Sequence, residues 1–293
     1  MLIRRSLGER IFDVANAAGM LLFSFVTIYP LLYVVFASFS DPSRIIQNRG
    51  ALFYPLGFTL DAYEMVFKNP NILGAFANTL FYVIVGTLLN ILLTALGAYA
   101  LSRRKLMLKN PIMFLIVFTM FFEGGLIPLY LLVQNLSLLD TRWSLIIPTA
   151  VSAFNLIIMR TAFQGVPYDL EESAKIDGAN DWSVLFRIVL PLSMPVIAVM
   201  ILFYGVSHWN SWFLATVFLQ TRELYPLQLI LREILISNDT SSMSVGIASG
   251  DQMQIGETIK YATIIVSTAP ILFLYPFLQR YFVKGVMIGA VKE

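Results

Sequence analysis

Five windows of this sequence carry no Asp, Glu, Lys or Arg over lengths that reach or approach the width of a bilayer, and a sixth is broken by one glutamate. Crossing the hydrocarbon takes about 20 apolar residues in a helix, so these windows constrain the fold more than any other feature. Asp13 to Asp41 encloses a helix near 14–37, and Lys68 to Arg103 one near 77–101. The third span starts after Lys109 and runs to about 132, interrupted by Glu123-Gly124-Gly125. The fourth lies between Arg142 and Arg160, the fifth near 193–217 between Arg187 and Arg222, and the sixth between Lys260 and Arg280. Composition agrees: 13% of residues are charged, against about 25% in a soluble domain. The expected fold is all-α and polytopic, with six transmembrane helices in a single domain over 1–293 whose core spans occupy about 77–283. The first apolar segment has no small-residue cleavage site and reads as a retained helix.

Six spans put both termini on one side. Lys and Arg favour the cytoplasmic side of a membrane; thirteen lie on the terminal side and seven on the other. Both termini and the loops at 102–110 and 164–190 are therefore expected in the cytoplasm. The segments 38–76 and 219–260 are expected outside, with turn clusters at Asn238–Ser242 and Ser249–Asp251 reading as loop. A net charge of +2 gives no reason to expect a nucleic-acid partner. The absence of cysteine excludes disulfides, thiol chemistry and thiolate metal sites.

The long polar interruption at Tyr168–Pro191, YDLEESAKIDGANDWSVLFRIVLP, has residues suited to contact rather than to crossing. Asp169 with Glu172 has capping-box spacing, and Glu171 with Lys175 forms an i,i+4 pair worth roughly 0.2–0.5 kcal/mol. Gly178 stands where a left-handed cap is wanted, and Asn180 or Asp181 starts a second helix. Leu170, Ala174 and Gly178 share a slim face. A helix this short needs a surface to lie on, either its own protein or another subunit. The 164–190 loop has a net charge of −3, which gains nothing from an anionic inner leaflet and suits a basic protein surface.

Glu171-Glu172-Ser173-Ala174-Lys175-Ile176-Asp177-Gly178-Ala179, followed by Ile188-Val189-Leu190-Pro191, resembles the EAA loop of ABC-importer permeases. Ser173 replaces the first alanine of the usual pattern. The tail at 279–292 is similar to the ending of carbohydrate permeases of the maltose-transporter type. The resemblance implies the type I importer fold, a second permease subunit, two ATPase subunits that bind ATP and Mg, and an external solute-binding protein, in a bacterial cytoplasmic (inner) membrane. It assigns Leu170, Glu171, Glu172, Ser173, Ala174, Asp177 and Gly178 to ATPase coupling, with the helix at 169–178 acting as a lever in alternating access. It also implies a sugar or oligosaccharide substrate, neutral or, as in alginate-type permeases, an acidic uronate oligomer.

Two polar sites interrupt the spans. Glu123 lies about 20 Å into the third span at 1.5 Å per residue, where an ionisable group is a functional candidate. The alternative is that Gly124, Gly125 and Pro128 end the helix and put Glu123 near the mouth. In the fifth span, Ser207-His208-Trp209-Asn210-Ser211-Trp212 offers tryptophans that belong either to an interfacial belt or to the passage. His208 and Asn210 would be costly against lipid, so one face of this turn should line a wet or packed interior. Trp209, Asn210 and Trp212 are the candidates for sugar contact.

No G-x-x-x-x-G-K-[ST] occurs, so the chain is not expected to bind nucleotide itself. With one histidine, neither a His-rich metal site nor a catalytic triad is credible, and no enzyme activity or cofactor is expected in this chain. Two rival classes remain open: an ion-coupled secondary transporter, hinted at only by the interruption at Glu123, and a membrane scaffold that does not transport.

Overall fold

The computed structural model describes residues 7–48, 50–104, 106–236, 256, 258–273 and 276. Among them the only extended pairing is an isolated bridge between Ser40 and Phe58. The helices run in order as α1 (Leu7–Ser38), α2 (Pro42–Gln47), α3 (Asp61–Lys68), α4 (Pro70–Ser102), α5 (Lys109–Phe121), α6 (Leu126–Asn135), α7 (Trp143–Ile146) and α8 (Ala153–Gln164). They continue as α9 (Tyr168–Ile176), α10 (Asp181–Val184), α11 (Leu190–Leu192), α12 (Met194–Trp209), α13 (Phe213–Phe218), α14 (Leu227–Ile236) and α15 (Thr258–Phe273). A π-helical turn, Leu185–Val189, joins α10 to α11.

Among the described residues, α1 and α4 are single helices long and apolar enough to cross a membrane, and two bent pairs raise the number to at most four. The six windows therefore do not become six straight rods. In the third, α5 and α6 meet at 114°. Phe122 is extended and Gly125 has φ 84°, ψ 174°, a conformation that only glycine adopts without strain. In the fifth, Asp181–Leu192 meets α12 at 85°, and Asn210 to Trp212 separate α12 from α13.

The fourth window departs furthest from expectation. Its helix stops at Ile146, residues 147–152 are non-helical, and α8 starts after Ser152, whose Oγ accepts from the Asn155 N–H at 3.4 Å. Pro148 accounts for the stop: its ring has no N–H and crowds the preceding turn. In the sixth window the described residues form α15, an apolar helix that begins before Lys260 and is, over the described residues, shorter than a full span.

The described residues fall into two compact units, one within 71–232 and 269–293 and the other within 1–70 and 233–268. In the first, Ala98, Tyr99, Met159, Phe163, Leu185 and Met200 form a core against which Ala174 packs. Tyr82, Val133, Ile146, Ala215 and Phe218 form another. In the second unit, Ala37, Ile45 and Leu52 are buried together beside Tyr33 and Tyr261. Along α1 large apolar side chains such as Leu21, Leu22 and Phe23 remain uncovered, a surface suited to lipid or to other apolar helices.

The start of the 219–260 segment is ordered. Asn78 Nδ2 donates to the Tyr225 carbonyl at 3.2 Å, Tyr82 Oη to the Leu224 carbonyl at 2.7 Å, and the Leu227 N–H to Thr79 Oγ1 at 2.8 Å. Asp140 Oδ1 accepts from the Gln220 and Thr221 N–H groups, both at 2.8 Å. The Thr221 hydroxyl is the largest influence holding the Asp140 carboxyl below its usual range. The turn clusters at Asn238–Ser242 and Ser249–Asp251 and the tail at 279–292 lie outside the described residues.

Candidate functional site

The polar interruption folds as a helical hook. Its first helix, α9, begins two residues earlier than capping-box spacing suggests. Pro167 holds the N-cap position with φ −56°, ψ 129° and no side-chain cap bond. Asp169 therefore sits in the first turn, where a carboxylate complements the helix dipole, and the expected Asp169–Glu172 box does not form. Ser173 Oγ bonds back to the Asp169 carbonyl at 2.8 Å. The other end matches the sequence reading. Gly178 has φ 84°, its N–H donates to the Lys175 carbonyl at 3.1 Å, and the Ala179 N–H donates to the Ala174 carbonyl at 2.9 Å. That pair of bonds is a Schellman cap. Asn180 Oδ1 then accepts from the Ser183 N–H at 2.8 Å and opens α10.

Among the described residues the hook is bolted down on one side only. Glu171 is 3% exposed; one carboxylate oxygen accepts from the Arg103 guanidinium and the other from Lys175 Nζ at 3.0 Å. Lys175 also reaches Asp181 at 2.9 Å, and Asp181 first, then Glu171, pushes the Lys175 ammonium pKa up. Arg103 further donates to the Phe163 carbonyl at 3.2 Å and to Ser102 Oγ at 3.0 Å. Its guanidinium lies 4.7 Å from the Tyr99 ring centroid. Two of the loop's five acids, Glu171 and Asp181, are thus paired within the chain.

Leu170, Ala174 and Gly178 do not act as one face. Ala174 packs inward on the core while Leu170 and Gly178 are exposed. The outward side carries Glu172, Ser173, Asp177 and Ile176, the last 82% exposed. Beside them Trp182, 61% exposed, stacks on Phe186 at 6.2 Å and 10°. Sequence spacing missed Arg103, a partner distant in the chain, and the uncovered Ile176, Trp182 and Phe186.

Glu123 lies in the exposed break between α5 and α6. In the fifth window the candidate residues separate. Trp209 is buried with its ring edge on Phe76, centroids 6.0 Å apart. Asn210 is exposed and donates from Nδ2 to the Val206 carbonyl of its own helix at 3.0 Å. Trp212 receives the Arg232 guanidinium at 4.8 Å. Trp209 and Asn210 thus do not present one joint surface.

A polar network that spacing did not identify lies beside them. His208 Nε2 is 2.6 Å from Asn90 Oδ1 on α4. Asn90 Nδ2 donates to the Thr149 and Ala150 carbonyls at 2.7 and 2.8 Å. With the amide so oriented, Oδ1 is the acceptor and His208 Nε2 carries the proton. Tyr204 Oη accepts from the Ser152 N–H at 3.1 Å and is 2.7 Å from Thr94 Oγ1. Helices α4 and α12 therefore satisfy the peptide groups that the break at 147–152 frees, as a non-helical segment among membrane helices requires. Among the described residues no three metal-ligating side chains cluster.

The binding-protein-dependent transport system inner membrane component family matches residues 94–288, and the chain belongs to it. It is 43% identical over 97% of its length, and 99% of the relative's, to the polygalacturonan/rhamnogalacturonan transport system permease protein of Bacillus subtilis. It is also 43% identical, over 97% of this chain and 95% of the other, to protein LplC of the same organism. A crystal structure of a bacterial ABC transporter involved in import of the acidic polysaccharide alginate includes a chain with TM-score 0.87 and 32% identity, covering 96% of this chain and 99% of that one. Membership makes this protein a membrane permease component of an import system rather than a catalytic subunit.

Proposed function

We propose that this chain is one of two permease subunits of an ATP-driven importer and that its hook at 168–191 docks on an ATPase subunit. The observation that supports this most is the two-sidedness of α9: Glu171 and Ala174 fasten it to the bundle, while Glu172, Ile176, Asp177 and the Trp182–Phe186 pair stay uncovered. A helix fixed from behind and bare in front can pass a push from a partner into α4 and α8. In this reading the bundle has six spans when broken ones are counted, and both termini and the hook lie in the cytoplasm. An external binding protein delivers the solute, and two ATPase subunits hold ATP and Mg. The substrate is an acidic, uronate-rich oligosaccharide, by analogy with the polygalacturonan/rhamnogalacturonan permease and the alginate importer. Glu123 opposes this little, because it is exposed in a break.

The test is reconstitution with the partner permease, ATPase and binding protein, measuring hydrolysis and uptake together. Gly178→Pro and Ala174→Trp should insert normally yet lose binding-protein-stimulated hydrolysis, and unchanged stimulation in both would overturn the docking assignment. Uptake of an oligogalacturonate in preference to a neutral oligosaccharide supports the substrate class. Flux without ATP hydrolysis would instead indicate ion coupling, and no flux of any solute a scaffold.

A further inference from the structure

Where α4 ends and α5 begins, the C-terminal turn of α8 and the first residue of α9 close around a cavity of about 390 Å³. Arg103, Arg104 and Lys109 line it, and among the described residues no carboxylate does. Arg160 stands behind them: with its amide oxygen turned toward the cations, Gln164 accepts from Lys109 Nζ at 3.2 Å and from Arg160 at 3.1 Å. Arg103 has Glu171 as counter-ion, and that carboxylate lies with Lys175 and Asp181 in a neighbouring cavity that shares Arg103, Arg104 and Tyr168 as its wall. The Arg104 guanidinium lies 5.2 Å from the Tyr168 ring centroid. Two cations drawn onto one neutral amide repel each other, and an anion seated among them would relieve that repulsion.

Position narrows the anion. Ser102 and Lys109 are the ends of two apolar helices, so the cavity lies at the height where membrane helices emerge. Between them, Met107 is 84% and Leu108 70% exposed. A free phosphate would use the basic cavity and leave this apolar flank idle, whereas an amphiphile with an anionic head uses both. Basic pockets between membrane helices suit such headgroups. We propose that this cavity binds the phosphodiester headgroup of an anionic phospholipid, with its acyl chains along Met107 and Leu108. Pro167 and Tyr168 at the mount of α9 line the same cavity, so an occupant would brace the hook. That consequence rests on the transport reading; the binding does not, and the two can fail separately.

The test is native mass spectrometry of the full-length chain, in its complex, released from detergent with added phosphatidylglycerol or phosphatidylcholine. Wild type should retain phosphatidylglycerol preferentially. The Arg104→Gln/Lys109→Gln pair should lose roughly thirtyfold in that retention, as removal of two juxtamembrane cations implies. The Arg104→Lys/Lys109→Arg pair should keep it, which separates charge from folding. Millimolar inorganic phosphate should leave the lipid bound. Equal retention by wild type and the glutamine pair, or no preference over phosphatidylcholine, would overturn the proposal. Displacement by inorganic phosphate would overturn the lipid assignment and leave a site filled from solution.

Discussion

Arg103, just past the end of α4, and Glu171, in the first turn of α9, form an ion pair across 68 positions of sequence. The carboxylate is almost wholly buried and the guanidinium largely so, with side chains 4% and 20% exposed. Such a pair makes a weak case for net stability, because desolvation offsets much of the attraction, but losing one partner strands the other. Its value here is geometric: it fixes the angle at which α9 leaves the bundle.

Glu171 and Glu172 should therefore behave oppositely despite adjacency. Glu171→Ala leaves the Arg103 guanidinium without its carboxylate and should destabilise the chain by about 3 kcal/mol, the low end for a broken buried pair. Glu172→Ala removes an exposed carboxylate and should leave the melting temperature within error. Under the docking proposal it should reduce stimulated ATP hydrolysis. Thermal unfolding in detergent alongside ATPase assays separates the two effects, and equal melting of both variants would remove the anchoring role.

The ammonium of Lys175 bridges Asp181 and Glu171, and its pKa is raised above the ordinary 10.5. A raised lysine contributes stability fully below its unfolded pKa, and that contribution fades as pH climbs through the higher folded value. The stability difference between wild type and Lys175→Met should thus be flat from neutrality to about pH 10 and shrink only above it. A difference that changed between pH 6 and 9 would contradict this bridge.

Two glycines in α4 should respond differently to the same substitution. A Cβ on Gly86 would fall 2.5 Å from His208 Nε2, whereas one on Gly74 would meet nothing within 4 Å. Gly86→Ala must push His208 off Asn90 or part the helices, and should cost roughly 1–3 kcal/mol. Gly74→Ala should be neutral or stabilising by up to about 1 kcal/mol, the difference in helix propensity. Unfolding midpoints of the two variants in the same detergent settle the comparison.

What the sequence discloses here follows the range of the interactions. Gly178 as a left-handed cap and the Glu171–Lys175 pair are local, and spacing reveals them; it narrows the next helix start to Asn180 or Asp181 and offers the break at Glu123-Gly124-Gly125 as one of two readings. The N-terminus of α9 departs from the spacing because Asp169 has the right chemistry for a cap, while the proline before Tyr168 already sets the entry geometry. The fourth window looked like one helix because a charge-free stretch reports polarity and is blind to Pro148. Arg103 and Asn90 were missed for another reason. Their partners are distant in the chain, and a helix apolar on every side gives no periodic signal for the face that turns inward.

Asn90 supplies the strictest test of that inward face. Its side chain donates to the Thr149 and Ala150 carbonyls and accepts from His208, so it closes a gap in the backbone pairing of one segment while fixing a side chain on another. Asn90→Leu fills similar space but leaves two carbonyls and an imidazole N–H without partners, each buried group costing about 1–3 kcal/mol. The losses share one network and will not simply add, so roughly 3 kcal/mol in total is expected. His208→Phe removes one donor and leaves Asn90 bonded to both carbonyls, and should cost distinctly less. Asn90→Asp keeps an acceptor for His208 but turns a carboxylate oxygen toward the two carbonyls at a buried site, and should cost at least as much as Asn90→Leu. Were His208→Phe to match Asn90→Leu, the imidazole would be the keystone and the carbonyls at the break would be finding other donors.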